Sequence, residues 1–442
     1  MTNKVGVGMI CKDDEGKLRR VWAVCQDRSL SNKAIEEETI RSAMIKARDA
    51  TWNQIPRNCN TLANNLATFA SKLTAMVVWE VPKTQNSASK VCDYSYGKWV
   101  WDESYPIHKY TEECPFLDPG FRCQRSGRTD TDYQKWRWQP HDCNLPRFNA
   151  TDFLDRVRNG RIVFAGDSIV RNQWESLLCM LAQGVFNQST IYEEYGSPIT
   201  KHRGYLSMRF QEYNLTVEYY RVPFLVIIDR PPKNAPKEVR GAIRVDKLHW
   251  YSAKWVGADM LLFSPGHWWK EDKTLKMGNY FQQGEIVNMT MDVKEAFGRS
   301  LNTLMSWVMQ SLNPEQSNIF FRSYSPVHYR DGTWNEGGHC HTFVAPETDH
   351  TKLEPEPLNN LQISEIIKKM ENIQIKMQFV NITYLTELRK DGHPSNHREP
   401  GTPATAPQDC SHWCLPGVPD TWNELLYASL LSKQFRTELK IR

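Results

Sequence analysis

From Arg161 onward, short apolar runs alternate with stripes of helical spacing. The runs Ile162–Ala165, Phe224–Ile228, Met260–Ser264, Ile319–Tyr324 and Phe379–Leu385 predict strands. The stripes Ile169–Leu181, Val293–Leu312, Leu361–Met370 and Thr421–Leu431 predict helices. Strands this short and this apolar are buried on both faces. The pattern therefore predicts an α/β fold with a mostly parallel sheet covered on both sides by helices. Ligands on such sheets bind beyond the carboxyl ends of the strands.

The first part of the chain has a different rhythm. In residues 1–82, Val5–Ile10 and Val21–Cys25 read as strands around an Asp13-Asp14-Glu15-Gly16 turn. Two helical stripes follow, Ala34–Ala50 and Cys59–Leu73, and residues 83–91 form a polar connector. Residues 92–147 are dense in Cys, Trp, Tyr and Pro. They predict an irregular lobe held by disulfides and by stacked Trp99, Trp101, Trp136 and Trp138. Residues 148–435 carry the α/β pattern.

Charge changes this picture little. The 442 residues have a net charge of +4, too even a balance for a dedicated polyanion binder, so a nucleic-acid partner is not expected. Cysteine changes it more. Eight cysteines follow residue 90: Cys92, Cys114, Cys123, Cys143, Cys179, Cys340, Cys410 and Cys414. Their spacings lack the paired Cys or His motifs of a zinc site, so disulfides are expected and metal is not. Five glycosylation sequons, at Asn149, Asn187, Asn214, Asn288 and Asn381, occupy the same region. Together these suggest a lumenal or secreted catalytic region. Yet Met1–Lys17 lacks the apolar core of a signal peptide, and no run is long enough to anchor in a membrane.

Two motifs carry the candidate chemistry. Phe164-Ala165-Gly166-Asp167-Ser168 runs a strand into a turn and then a helix, which lifts a serine hydroxyl out at a helix N-terminus. Asp409-Cys410-Ser411-His412 places a carboxylate three residues before an imidazole, ahead of the last helix. Ser168 as nucleophile, His412 as base and Asp409 as orienter make up an acyl-transfer set. On blander readings Ser168 caps its helix and His412 is an ordinary loop histidine. Candidates for oxyanion or substrate contacts are Gly166, Asp167, Arg171, Gly266, His267, Trp268 and Arg322. Trp268 and its neighbours suit sugar-ring stacking, and Arg171 suits an anionic group; a surface charge, core aromatics and a turn glycine are the competing readings.

Residues from about 91 to 433, roughly three quarters of the chain, resemble the plant trichome-birefringence-like polysaccharide O-acetyltransferases. The matching stretches are Cys92-Asp93-Tyr94-Ser95-Tyr96-Gly97-Lys98-Trp99, Trp136-Arg137-Trp138-Gln139-Pro140 and Gly166-Asp167-Ser168 with Arg171-Asn172-Gln173. Gly266-His267-Trp268-Trp269 and Asp409-Cys410-Ser411-His412-Trp413-Cys414-Leu415-Pro416-Gly417 complete the set. The resemblance implies an SGNH-like α/β/α fold, a Ser168-His412-Asp409 triad and a Golgi membrane setting. It also implies a cell-wall polysaccharide acceptor such as xylan, mannan or pectin. Acetyl-CoA or another acetyl donor would be co-substrate, with no bound cofactor and a monomeric state. The disulfides it implies are Cys92–Cys143, Cys114–Cys179, Cys123–Cys414 and Cys340–Cys410. Residues 4–72 resemble instead a truncated plant RNase H-like α+β domain, with Glu37-Glu38 at its acidic helix site. Too few carboxylates remain there for two-metal nuclease chemistry. Two rival functions follow: an acetyl esterase using the same triad, and a nucleic-acid-binding RNase H-like module with an inactive passenger.

Overall fold

The computed structural model describes residues 4–12, 18–27, 92–105, 110–313, 316–375, 377–403 and 405–437. The chain divides into two compact units, Met1–Ser89 and Lys90–Arg442. In the first, β1 (Lys4–Lys12) and β2 (Leu18–Asp27) pair antiparallel, with Val7 opposite Val24. The expected helices Ala34–Ala50 and Cys59–Leu73, with Glu37 and Glu38, lie outside the described residues.

The second unit opens on β3 (Gly97–Trp101) and β4 (Trp136–Pro140), an antiparallel pair with Trp99 opposite Trp138 and Trp101 opposite Trp136. Both tryptophan pairs meet edge-on, their planes 62° and 80° apart, rather than stacked as expected. The lobe is thus partly regular. Its strands are only five residues long, and the aromatic-rich turns around them hide the two-residue period.

Helix α1 (Ala150–Arg156) is capped by Asn149 and precedes β5 (Arg161–Gly166) and α2 (Ser168–Ala182). Strands β6 (Ile191–Glu193), β7 (Tyr205–Phe210), β8 (Leu215–Arg221), β9 (Val226–Asp229) and β10 (Gly241–Leu248) follow. After the short α3 (Ser252–Trp255) come β11 (Met260–Ser264), β12 (Asn279–Gln283), β13 (Ile286–Asn288) and α4 (Val293–Ser311). The last elements are β14 (Asn318–Arg322), α5 (Leu358–Asn372), β15 (Met377–Val380), α6 (Thr383–Glu387) and α7 (Val418–Ser432).

Seven strands form the main sheet in the order β15-β14-β11-β5-β8-β7-β6. The first five are mutually parallel, and β7 and β6 close one edge antiparallel. Alternation along each strand explains the layers. Ile162 and Phe164 of β5, Met260 and Leu262 of β11, and Phe320 of β14 join one apolar core with residues of α2 and α7. Val163, Ala165, Leu261, Phe263, Ile319 and Phe321 point into the other, under α4 and α5. A buried leucine such as Leu177 contributes about 1.5–3 kcal/mol to this packing. The fold is a mixed α/β sandwich of the expected SGNH-like kind.

Two predicted strands need correction. Phe224–Ile228 contributes β9 not to the main sheet but to a separate four-stranded sheet, β13-β12-β10-β9. The run Phe379–Leu385 ends as a strand at Val380, and Thr383 onward is α6. Apolar composition identifies a buried segment without saying which neighbours it pairs with, or where a strand hands over to a helix.

Disulfides join Cys92–Cys143, Cys114–Cys179, Cys123–Cys414 and Cys340–Cys410. Two of them reach α2 and the loop before α7, so they tie the aromatic lobe to the α/β layers.

Candidate active site

Strand β5 is the point where the sheet order reverses. The chain leaves it through α2, returns as β8 on one side, and later places β11 on the other. A crevice at such a switch point is the usual ligand site of an open α/β sheet, and the Gly166-Asp167-Ser168 turn sits there.

Gly166 is required by close approach. A Cβ there would lie 2.6 Å from Val170 Cγ2 and 3.0 Å from the Ser264 carbonyl oxygen. The next residue is the cap of α2: Asp167 Oδ1 accepts from the Ile169 and Val170 N–H groups at 2.9 and 3.3 Å. Because Asp167 caps the helix, Ser168 does not. Its half-buried side chain makes no hydrogen bond among the described residues. Burial raises the Asp167 carboxyl pKa, with the Arg322 charge acting in the opposite direction.

The second motif comes from the loop before α7. His412 Nδ1 lies 2.8 Å from Asp409 Oδ2, and the His412 N–H donates to Asp409 Oδ1 at 3.0 Å. Ser411 donates to the same oxygen through both its N–H and its hydroxyl. Burial alone would raise the Asp409 pKa. The His412 charge and these hydrogen bonds prevail and hold it well below the usual carboxylate range. Asp409 is therefore ionised throughout the neutral range and fixes the proton of His412 on Nδ1, leaving Nε2 as the basic nitrogen.

Asn172 joins the two motifs. One turn past Ser168, it accepts from the Trp413 N–H at 2.8 Å and donates to the Trp413 carbonyl at 3.1 Å. The residue after His412 is thus clamped to the helix that begins at Ser168. Phe121 of the aromatic lobe lies against the His412 ring, centroids 5.6 Å apart. No hydrogen bond runs between Ser168 and His412 themselves; such bonds commonly tighten only when substrate is present.

Gly266, beyond β11, has φ +121° and accepts from Asn359 Nδ2 at 2.8 Å. Neither its own N–H nor that of His267 is used in a main-chain hydrogen bond. His267 stacks on Tyr324 with centroids 5.4 Å apart. Burial, with the Lys270 and His412 charges, pushes its pKa well below the usual value, so the ring is neutral. Trp268 is partly exposed, edge-on to Phe224 with Lys273 over its face. Lys270 donates to the Tyr324 hydroxyl at 2.6 Å.

Three expected substrate contacts are instead structural. Arg171 is 2% exposed and sits between Asp118 Oδ2 and Glu175 Oε1, each 2.9 Å away. It ties the aromatic lobe to α2, because its partner Asp118 comes from that lobe. Arg322 is fully buried behind the turn and donates to Ser264 Oγ at 2.6 Å and to the Ile169 carbonyl at 3.2 Å. Asp167 is committed to the cap. The sequence reading missed Asn172 as a clamp; its place four residues after Ser168, on the same helix face, was the available signal.

Of the sequon asparagines, Asn149 and Asn187 are exposed, whereas Asn214, Asn288 and Asn381 are half-buried. Thr216 and Thr383, which complete two of those sequons, are 6% exposed. Among the described residues no cluster of three or more His, Cys, Asp or Glu side chains is arranged for a metal ion. No helix among them is long and apolar enough to cross a membrane.

Residues 145–429 match the model of the PC-Esterase family, a GDSL/SGNH-like acyl-esterase family found in Pmr5 and Cas1p. The chain belongs to this family. Residues 90–144 match the PMR5 N terminal Domain, the lobe that carries Asp118 and Phe121. The chain is 59% identical to Protein trichome birefringence-like 9 of Arabidopsis thaliana, over 80% of this chain and 87% of the relative. It is 41% identical to Protein trichome birefringence-like 6 of the same plant, over 82% and 77%. Identity to Probable xylan O-acetyltransferase 10 of Oryza sativa subsp. japonica is 35%, over 78% and 79%. This PC-esterase chain is thus similar to trichome-birefringence-like proteins along most of its length.

Proposed function

We propose that this protein is a polysaccharide O-acetyltransferase that works through an acetyl-enzyme on Ser168. The observation that carries the reading is the division of labour at the turn: Asp167 caps α2, and the Ser168 hydroxyl is left for chemistry. His412 Nε2 takes the hydroxyl proton as Ser168 Oγ attacks the acetyl carbonyl. The donor's leaving group departs with that proton. An acceptor hydroxyl then attacks the acetyl-serine, gives its proton to His412, and Ser168 is reprotonated as the tetrahedral intermediate collapses. Asp409 stabilises the imidazolium in both halves. The oxyanion is met by the Ser168 N–H at the start of α2, with the Gly266 and His267 N–H groups as further donors.

The acceptor is a hydroxyl of a plant cell-wall polysaccharide such as xylan, mannan or pectin, and the donor is acetyl-CoA or another acetyl carrier. The family and the xylan O-acetyltransferase relative support this. Four disulfides suit an oxidising compartment, which supports action in the Golgi lumen. We assign glycosylation to Asn149 and Asn187, the two exposed sequon asparagines.

The test is to incubate the protein with an acetyl donor and oligosaccharides of each polymer class, measuring sugar mass and free acetate together. Transfer predicts a gain of one acetyl group on an oligosaccharide. Release of acetate from acetylated oligosaccharides, with no gain from the donor, would show the esterase instead.

A further inference from the structure

Behind the main chain of His412 runs a line of buried polar groups that acetyl transfer does not itself consume. His393 Nδ1 is 2.6 Å from the His412 carbonyl oxygen, and His393 Nε2 is 2.7 Å from His328 Nδ1. His328 Nε2 in turn lies 3.7 Å from Glu387 Oε2. Both histidines are buried, at 2% and 6% exposure.

The protons in this line are fixed by chemistry. A carbonyl oxygen only accepts, so His393 carries its proton on Nδ1. Its Nε2 is then an acceptor, so His328 donates from Nδ1. Burial raises Glu387 to about 7, against the Glu354 N–H and the Lys390 charge. Burial lowers both histidines to about 3. The Lys390 charge adds to this at His328 and the His328 charge adds to it at His393, with Asp391 opposing at both and Asp409 at His393. Both histidines are therefore neutral at physiological pH, and the His393–His412 and His328–His393 bonds have one set of proton positions.

The segment around His393 grips the His412 loop elsewhere too. Ser395 and Asp409 exchange main-chain hydrogen bonds at 2.8 and 2.9 Å, and the Cys414 N–H donates to the Gly392 carbonyl at 3.0 Å. His393 also packs on the Trp413 ring, centroids 4.0 Å apart. Among the described residues, the polar contact this segment makes to His412 itself is the bond from His393. Asp409 holds the N–H of that residue, and His393 holds its carbonyl.

We propose that His393, oriented by His328, is a positioning residue that fixes the angle of His412 by donating to its carbonyl. This rests on the reading of His412 as the base. As imidazolium forms and discharges, the ring is pulled alternately toward Asp409 and Ser168, and a carbonyl tied from behind keeps the main chain from following. The competing role is packing alone, a satisfied histidine pair under Trp413.

His393→Phe retains bulk and removes the donor, whereas His393→Asn keeps an N–H donor near the place of Nδ1. The expected result is a kcat about 10- to 100-fold lower for H393F with KM within about twofold, and recovery to within about fivefold of wild type for H393N. A wild-type kcat in H393F would overturn the proposal, as would equal losses in the two variants. Should H393F not fold, H328L removes the donor to His393. It is expected to lower kcat about tenfold at constant KM, and an unchanged kcat overturns the proposal. Ser168→Ala in the same assay separates the layers of inference. Activity persisting in S168A sinks the triad itself, whereas an inactive S168A beside an unimpaired H393F sinks only the positioning role.

Discussion

At the scale of single residues, the site depends on which polar groups are already committed. Asp167 spends its carboxylate on two helix N–H groups and Asp409 spends its own on His412, so the free hydroxyl and the basic nitrogen belong to Ser168 and His412. Replacing Asp409 by Asn leaves the shape and destroys the tautomer control. We expect kcat to fall by on the order of 10³- to 10⁴-fold, measured as acetyl transfer at saturating donor, with the protein still folded. A loss below tenfold would mean that Asp409 does not orient the base. Ser168, His412 and Asp409 were legible because their motifs are local. Arg171 and Arg322 were not, since the sequence does not show that Asp118 lies 2.9 Å from the first guanidinium or that Ser264 accepts from the second. A buried charge and a cleft charge look alike until the distant partner is known.

At the scale of elements, the strand-to-helix junction is the precision part. β5 enters the turn with apolar side chains on both faces, and α2 leaves it with Trp174, Leu177, Leu178 and Leu181 fully buried. Gly166 lets α2 approach the strand. For Gly166→Ala, the added carbon meets Val170 and the Ser264 carbonyl at 2.6 and 3.0 Å. Overpacking of this kind costs about 1–3 kcal/mol. The melting temperature and kcat should therefore fall together, whereas wild-type values of both would contradict the tight junction. The core strands β5, β11 and β14 were readable because both faces are apolar. β7 and β8 were passed over because Ser207, Arg209, Thr216 and Glu218 interrupt their apolar runs. Those groups are satisfied by partners that only the folded sheet supplies, as when Arg161 pairs with Glu218 at 2.8 Å.

For the whole molecule, the two motifs meet because the sheet and its fastenings bring residues 168 and 412 to one rim. The Cys123–Cys414 bridge spans 291 residues and fixes the aromatic lobe beside the His412 loop. That lobe was the least legible region, since its order comes from disulfides and tryptophan pairs rather than from periodicity. Buried titratable groups also set a global pH response. Burial holds His249 at about 4, His328 and His393 at about 3, and His267 well below its usual value. Each stays neutral in the folded chain while the unfolded chain takes up a proton below about pH 6.5, so each loses stability as pH falls through that value. Glu175 and Glu387, raised by burial to about 7, work in the opposite sense, because the folded state holds their protons between about pH 4.5 and 7. Burial also lowers His397 and raises Asp167 and Glu356, so among the described residues five lowered histidines outweigh four raised carboxyls. The melting temperature is expected to be lower at pH 5 than at pH 6.5, and a higher value at pH 5 would contradict the neutral histidines.

Mass spectrometry of the protein quenched in acid after mixing with acetyl donor alone addresses the acyl-transfer account most directly. One acetyl group is expected on the peptide containing Ser168, removed when an acceptor oligosaccharide is added and absent from S168A. Acetyl transfer by an S168A variant, or an adduct found only on another residue, would contradict it.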